Sequence, residues 1–169
     1  MSLVAALTRV IAVLQTVLSP AAGRGPCVTL DGFEVLRVRD CSLVDADFKR
    51  KEFYERALLV KALSSQPFHG KIGDMGEAIA TCSKAYPLLV VSRERVERSG
   101  VSIGRVTGLS QAGFRLTLID PSARFDDSDT FYRYNSIIRL ECGGEYETTL
   151  ALVAGLGPTE TGSVGSTAP

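Results

Sequence analysis

The chain predicts a mainly β fold with short helices (α+β), built as two tandem curled sheets or small barrels that each end in a helix. Three observations lead there. Segments of the second half alternate apolar and polar residues with the period of a strand. Blocks of sequence recur in the same order in both halves. Each half also closes on a helix-like pattern after its last strand-like run.

The recurrence sets the organisation. "VLRVRDCSLVD" (residues 35–45) aligns with "FYRYNSIIRLE" (131–141) at a constant spacing of 96, so that Arg37 meets Arg133, Val38 meets Tyr134 and Asp45 meets Glu141. "FYERALLV" (53–60) aligns with "EYETTLAL" (145–152), pairing Tyr54 with Tyr146, Glu55 with Glu147 and Leu58 with Leu150. Upstream, "QTVLSP" (15–20) matches "LTLIDP" (116–121), and "VAALT" (4–8) matches "VTGLS" (106–110). Each match is weak alone, and their shared order points to a duplication. The expected organisation is a first β-rich unit at 1–63, open to a missing start, a helical connector at 64–87, a second β-rich unit at 88–156, and a disordered tail at 157–169.

Taken along the chain, "SLVAALTRVIAVLQTVLSP" has the length of a helix, but its repeat partner reads as a hairpin. Its β-branched residues favour two strands with a tight turn near Thr8 and Arg9. In the connector, "GDMGEAIATCSKAYP" sets Glu77 three residues after Asp74, in capping-box spacing, and puts Met75, Ala78, Ile79 and Cys82 on one stripe before Pro87. That is a helix. "LLVVSRERV" supplies a strand, expected at the edge of the second unit. "VSIGRVTGLS" and "GFRLTLID" alternate as strands joined by "SQAG" as the turn. "DPSARFDDSD" reads as a long polar turn, "TFYRYN" as a strand and "SIIRLE" as a short apolar one. After Gly143-Gly144, the residues Tyr146, Thr149, Leu150 and Val153 fall at i, i+3, i+4 and i+7, the spacing of a packed helix face. Four to five short strands and a helix, twice over, fit SH3-like or Sm-like barrels, whose closure removes exposed edges.

Composition bounds the function. At 169 residues and 45% hydrophobic content the chain can bury a real core. Nineteen basic residues balance nineteen acidic ones, so no global field draws it to nucleic acid or to an anionic membrane. Cys27, Cys41, Cys82 and Cys142 form no C-x-x-C pair, which removes zinc and thioredoxin-like spacing and leaves reduced, partly buried thiols. The apolar N-terminal run lacks a basic leader and is broken by Arg9, so it reads neither as a secretory signal nor as a membrane span. The expected location is cytoplasmic.

Several segments carry the residue types of a site. Cys142, ahead of a helix N-terminus, could be a nucleophile, but it needs a base, and the one histidine, His69, lies in the connector. Its repeat equivalent is Ala46. Gly143-Gly144 could cradle a phosphate, yet the Lys and Ser/Thr of a P-loop are missing, and Glu145 and Glu147 put negative charge there. Those carboxylates suit the positive end of the helix itself. In "FKRKEFY", Lys49, Arg50 and Lys51 could hold phosphates while Phe48, Phe53 or Tyr54 stack on bases. "RERVER" (93–98) interleaves three arginines with Glu94 and Glu97, the pattern of a salt-bridged surface. "DDSD" (126–129) carries carboxylates but neither the glycine nor the closing glutamate of an EF-hand.

The segments "DGFEVLRVRD", "FYERAL", "IGRV", "IDPSARFDD" and "YNSIIRLECGGEYETTLALVAG" together resemble an uncharacterised bacterial protein group with duplicated Sm-like/SH3-like small-barrel units. In that group a strand of the type "ITRVDFGG" precedes "YE-x-AL-x-LVA". The likeness covers most of residues 31–155 and carries no catalytic signature. This chain departs from it at Cys142, where Phe is usual. The expectation is a non-enzymatic protein-interaction or structural module without catalytic residue, cofactor, metal or membrane association, meeting an unknown protein partner through edge strands and the connector. The alternative is an RNA- or DNA-binding small barrel using Phe48, Lys49, Arg50 and Lys51, and an enzyme comes third.

Overall fold

The computed structural model describes residues 2–7, 11–18, 29–40, 56–62, 68, 72–93 and 101–156. Its strands are β1 (Ser2–Leu7), β2 (Ile11–Leu18), β3 (Thr29–Arg37), β4 (Leu89–Ser92), β5 (Val101–Leu109), β6 (Gly113–Ile119), β7 (Phe125–Arg133) and β8 (Arg139–Cys142). All pairings are antiparallel, in the order β1-β2-β3-β8-β4-β5-β6-β7. The helices are α1 (Met75–Ala85) and α2 (Glu145–Val153), with a helical segment at residues 56–60. Short 3-10 turns follow β3 at Val38–Asp40 and β7 at Tyr134–Ser136. The fold is mainly β with a few short helices.

The N-terminal run is a strand pair: β1 and β2 are antiparallel, with Leu7 opposite Ala12, and the expected turn near Thr8 and Arg9 lies outside the described residues. The β5–β6 hairpin closes through Ser110, whose hydroxyl bonds to the carbonyl of Gly113 at 2.9 Å. A strand of the first expected unit, β3, is hydrogen-bonded directly to β8 of the second, with Val35 opposite Leu140.

Three expectations are corrected. The strand "LLVV" is central: β4 lies between β8 and β5, with Val90 facing Glu141 on one side and Ile103 on the other. All four of its residues are buried. A continuous apolar run marks a strand covered on both faces, and an edge strand has no use for it. The polar stretch "DPSARFDDSD" is a turn only as far as Arg124. There Asp120 accepts the N–H groups of Ser122 and Arg124 at 2.8 and 3.0 Å. From Phe125 onward the acidic residues belong to β7, an edge of the sheet, where charged side chains face solvent and discourage further pairing. The "SIIRLE" strand starts later than expected, at Arg139, because Tyr134–Ser136 is a 3-10 turn.

Alternation along the strands divides the core in two. On one face α1 lays Met75, Ala78, Ile79 and Cys82 against Phe33, Val35, Leu89, Val91, Phe114, Leu116, Leu140 and Cys142. Ile79, Val91 and Leu140 are fully buried. On the other face, Leu150 and Ala151 of α2 cover Leu88 and Ile119, with Ile103 and Phe125 packed alongside. Burying such side chains contributes about 1.5–3 kcal/mol each.

Arg37 illustrates how the junction is held. Its side chain is buried, pairs with Asp40 at 2.6 Å and donates to the carbonyl of Asn135 at 2.9 Å. A buried guanidinium needs such partners to offset its lost hydration. The two 3-10 turns are thereby tied together.

Candidate functional site

The connection from β8 through Gly143 and Gly144 into α2 is built from both ends of the sequence. Gly143 has φ +74°, the left-handed region, and a Cβ there would sit 2.6 Å from Cε1 of Tyr86. Gly32 on β3 has φ +60°, and a Cβ on it would strike the backbone of Cys142 and Gly144. Glycine at both positions lets β3 approach the connection closely. That approach delivers Asp31, whose Oδ1 accepts the N–H of Glu145 at 2.6 Å. The N-cap residue Gly144 provides no side-chain bond of its own.

A phosphate would meet carboxylate here. Asp31 already occupies the first turn of α2, where orphan N–H groups and the helix dipole favour an anion. Glu147 is buried beside it, and burial first, then Glu141 and Asp31, push its carboxyl above the usual range. Sequence reasoning gave this helix end its own Glu145 and Glu147. The contribution of Asp31 leaves no local signal, since it comes from 114 residues away.

Cys142 lies one residue before the glycines, with its Sγ 3.3 Å from the Sγ of Cys82 on α1. Both thiols are free and buried. The hydrogen bond to Cys82, burial, and the neighbouring Glu147 and Glu141 carboxylates hold the Cys142 thiol protonated, well above the usual thiol range. An activated nucleophile requires the reverse. Tyr86, whose ring lies against Gly143, is pushed up to about 12 by burial and by the two thiols. A shallow cleft lined by Tyr86, Pro87, Leu88, Gly143, Glu147 and Thr148 opens beside this connection.

The outward side of α2 is a different surface. The expected packing face, Tyr146, Thr149, Leu150 and Val153, is not the one used. The helix buries Glu147, Leu150 and Ala151 instead, while Tyr146 is 54%, Leu152 58% and Val153 71% exposed. Leu150 belongs to both sets, and the cap from Asp31 and the seat on Leu88 and Ile119 fix the rotation. α2 therefore carries apolar side chains beyond the face that it buries.

Phe48, Lys49, Arg50, Lys51, Phe53 and Tyr54 lie outside the described residues, as do His69, Cys27, Cys41 and most of "RERVER". Arg93 is described: its guanidinium sits 4.7 Å from the Tyr132 ring centroid, a cation–π contact. The "DDSD" carboxylates are spread along β7. Asp129 accepts hydroxyl bonds from Thr117 at 2.6 Å and Thr107 at 2.7 Å, which with Arg115 and Arg105 pull it below the usual carboxylate range. Among the described residues no group of three or more His, Cys, Asp or Glu is arranged to hold a metal ion. None of the described helices is long and apolar enough to cross a membrane.

No protein-family model, curated protein or solved structure matches this chain.

Proposed function

We propose that this chain is a non-enzymatic protein-interaction module of the cytoplasm, and that its partner is a protein docking an apolar helix on the outward face of α2. The observation that carries this reading is the exposure of Tyr146, Leu152 and Val153 on a helix whose buried face, Glu147, Leu150 and Ala151, already fills the core. A helix apolar on both sides is otherwise found buried. Tyr146 and Val153, at i and i+7, share one line along the helix of the kind that anchors helix-to-helix recognition, and Leu152 extends the exposed apolar surface further round.

The two-unit, small-barrel organisation belongs to the same proposal. Its support is positional. The 3-10 turns at Val38–Asp40 and Tyr134–Ser136 stand at the spacing of the repeat. Leu58 and Leu150, matched in the repeat, are both buried, and Val60 and Leu152, also matched, are both exposed.

A photo-crosslinking amino acid placed at Tyr146 tests the reading, with the same group at Asp127 on β7 as the exposed control. The expected result in native lysate is a discrete protein adduct from position 146 alone, lost when Val153→Asp is added. Equal labelling at both positions, or salt-sensitive binding to RNA or DNA with no adduct at 146, overturns it.

A further inference from the structure

The geometry points to Cys82 and Cys142 as a modification site: a dithiol that a small peroxide converts to a disulfide, tying α1 to the strand that leads into α2. The two sulfurs are 3.3 Å apart and both are free thiols. A disulfide needs about 2.0 Å between sulfurs, so closure takes a movement of roughly an ångström. The cysteines sit on different elements, 60 residues apart, and each has its neighbours fixed: Cys82 by α1, Cys142 by pairing opposite both Phe33 and Leu89. Packing alone does not require sulfur at both positions, since apolar side chains of similar volume fill such sites.

The chemistry balances with hydrogen peroxide as oxidant. One thiolate attacks a peroxide oxygen, the O–O bond breaks, and hydroxide leaves to become water, giving a sulfenic acid. The second thiol then attacks that sulfur, the S–S bond forms, the S–O bond breaks, and a second water departs with the remaining proton. Two thiols and one peroxide become one disulfide and two waters.

Burial sets the rate. Both sulfurs are buried, so reaction follows local opening of the C-terminal end of α1. The cleft lined by Tyr86, Pro87, Leu88, Gly143, Glu147 and Thr148 reaches the residue after Cys142. In the cytoplasm a disulfide of this kind is a transient, redox-responsive state rather than a structural staple.

The test uses the full, unsubstituted chain, so no variant has to fold. Reduced protein is treated with hydrogen peroxide under native conditions, alkylated in denaturant and digested with trypsin. Cys82 falls in the peptide 72–84 and Cys142 in 140–169. The expected product is those two peptides joined, lighter by two hydrogen atoms and separated again by a reductant. The melting temperature of the oxidised protein should rise on the order of 10 °C, because the bond closes a long loop in the unfolded chain. Recovery of both peptides singly, alkylated or over-oxidised, after Cys27 or Cys41 has reacted, overturns the proposal. So does a joined peptide that forms only when urea is present.

Discussion

α1 and α2 lie on opposite faces of the same sheet and are specified in different ways. α1 brings its own cap: Asp74 accepts the N–H of Glu77 at 2.9 Å, while Glu77 reaches back to the N–H of Gly73 at 2.8 Å. Its buried residues, Met75, Ala78, Ile79 and Cys82, make one clean stripe. α2 begins at a glycine, takes its cap from Asp31 on β3, buries a glutamate and leaves a tyrosine, a leucine and a valine in solvent. A helix that is locally complete docks where its pattern says. A helix with apolar residues on two sides docks where the tertiary contacts turn it, and the side left over is available for a partner.

The strongest way to break this comparison is to weaken each apolar face in turn. Ile79→Ala, in the seat of α1, should cost about 2–5 kcal/mol of unfolding free energy in a denaturant titration. Leu152→Ala, on the outward side of α2, should stay within about 0.5 kcal/mol. Similar losses for both would mean that the outward face is already covered in the isolated chain.

Next comes the hinge of the connection. Gly143→Val forces a β-branched residue into the left-handed region against the Tyr86 ring, and a loss of about 1–3 kcal/mol is expected from backbone strain alone. Thermal melts of Gly143→Val beside Gly108→Val, whose neighbours lie at ordinary contact distance, separate strain from general glycine effects.

The caps follow. Asp74→Ala and Asp31→Ala should each lose about 1 kcal/mol. Only the second should also lower the Glu147 carboxyl, since Asp31 is one of the charges that raise it. Carboxyl titration by NMR distinguishes the local cap from the distant one.

A smaller effect is the pH dependence at Glu147. Its folded-state carboxyl titrates above its unfolded value, so the folded state binds the proton more tightly. The associated stability is fully present below the unfolded carboxyl range and is lost as pH rises through the folded value. Glu147→Gln should therefore gain about 0.5–1 kcal/mol at neutral pH, with the advantage gone below about pH 4. Unfolding curves across that range provide the check. Smallest of all, Tyr86 should ionise at about 12 rather than the ordinary 10.0 in an ultraviolet titration, reaching the ordinary value once the chain is unfolded.

Much of this fold was legible in residue patterns. Alternation marked β5 and β6, the recurrence in the second half turned the N-terminal run from a helix into two strands, and the capping box with its apolar stripe located α1 together with its buried residues. The candidate site was less legible. Glu147 looked like a carboxylate serving the helix end, and its burial left no mark in the local sequence. Tyr146 looked inward because its spacing to Leu150 and Val153 is helical, and spacing alone leaves the rotation of a doubly apolar helix open. The acidic run in β7 looked like a turn because edge strands at the surface share their composition with turns.

What the sequence determined by itself was therefore local: strand period, helix start, turn chemistry and the absence of familiar catalytic spacings. What only the tertiary structure decided was long-range. β3 was paired with β8, β4 was placed at the centre of the sheet, Asp31 was brought to the start of α2, and Cys82 was set against Cys142. The physical reason is that periodicity and capping act over a few residues of chain, whereas a shared hydrogen-bond ladder and a common core act between groups that the sequence holds far apart.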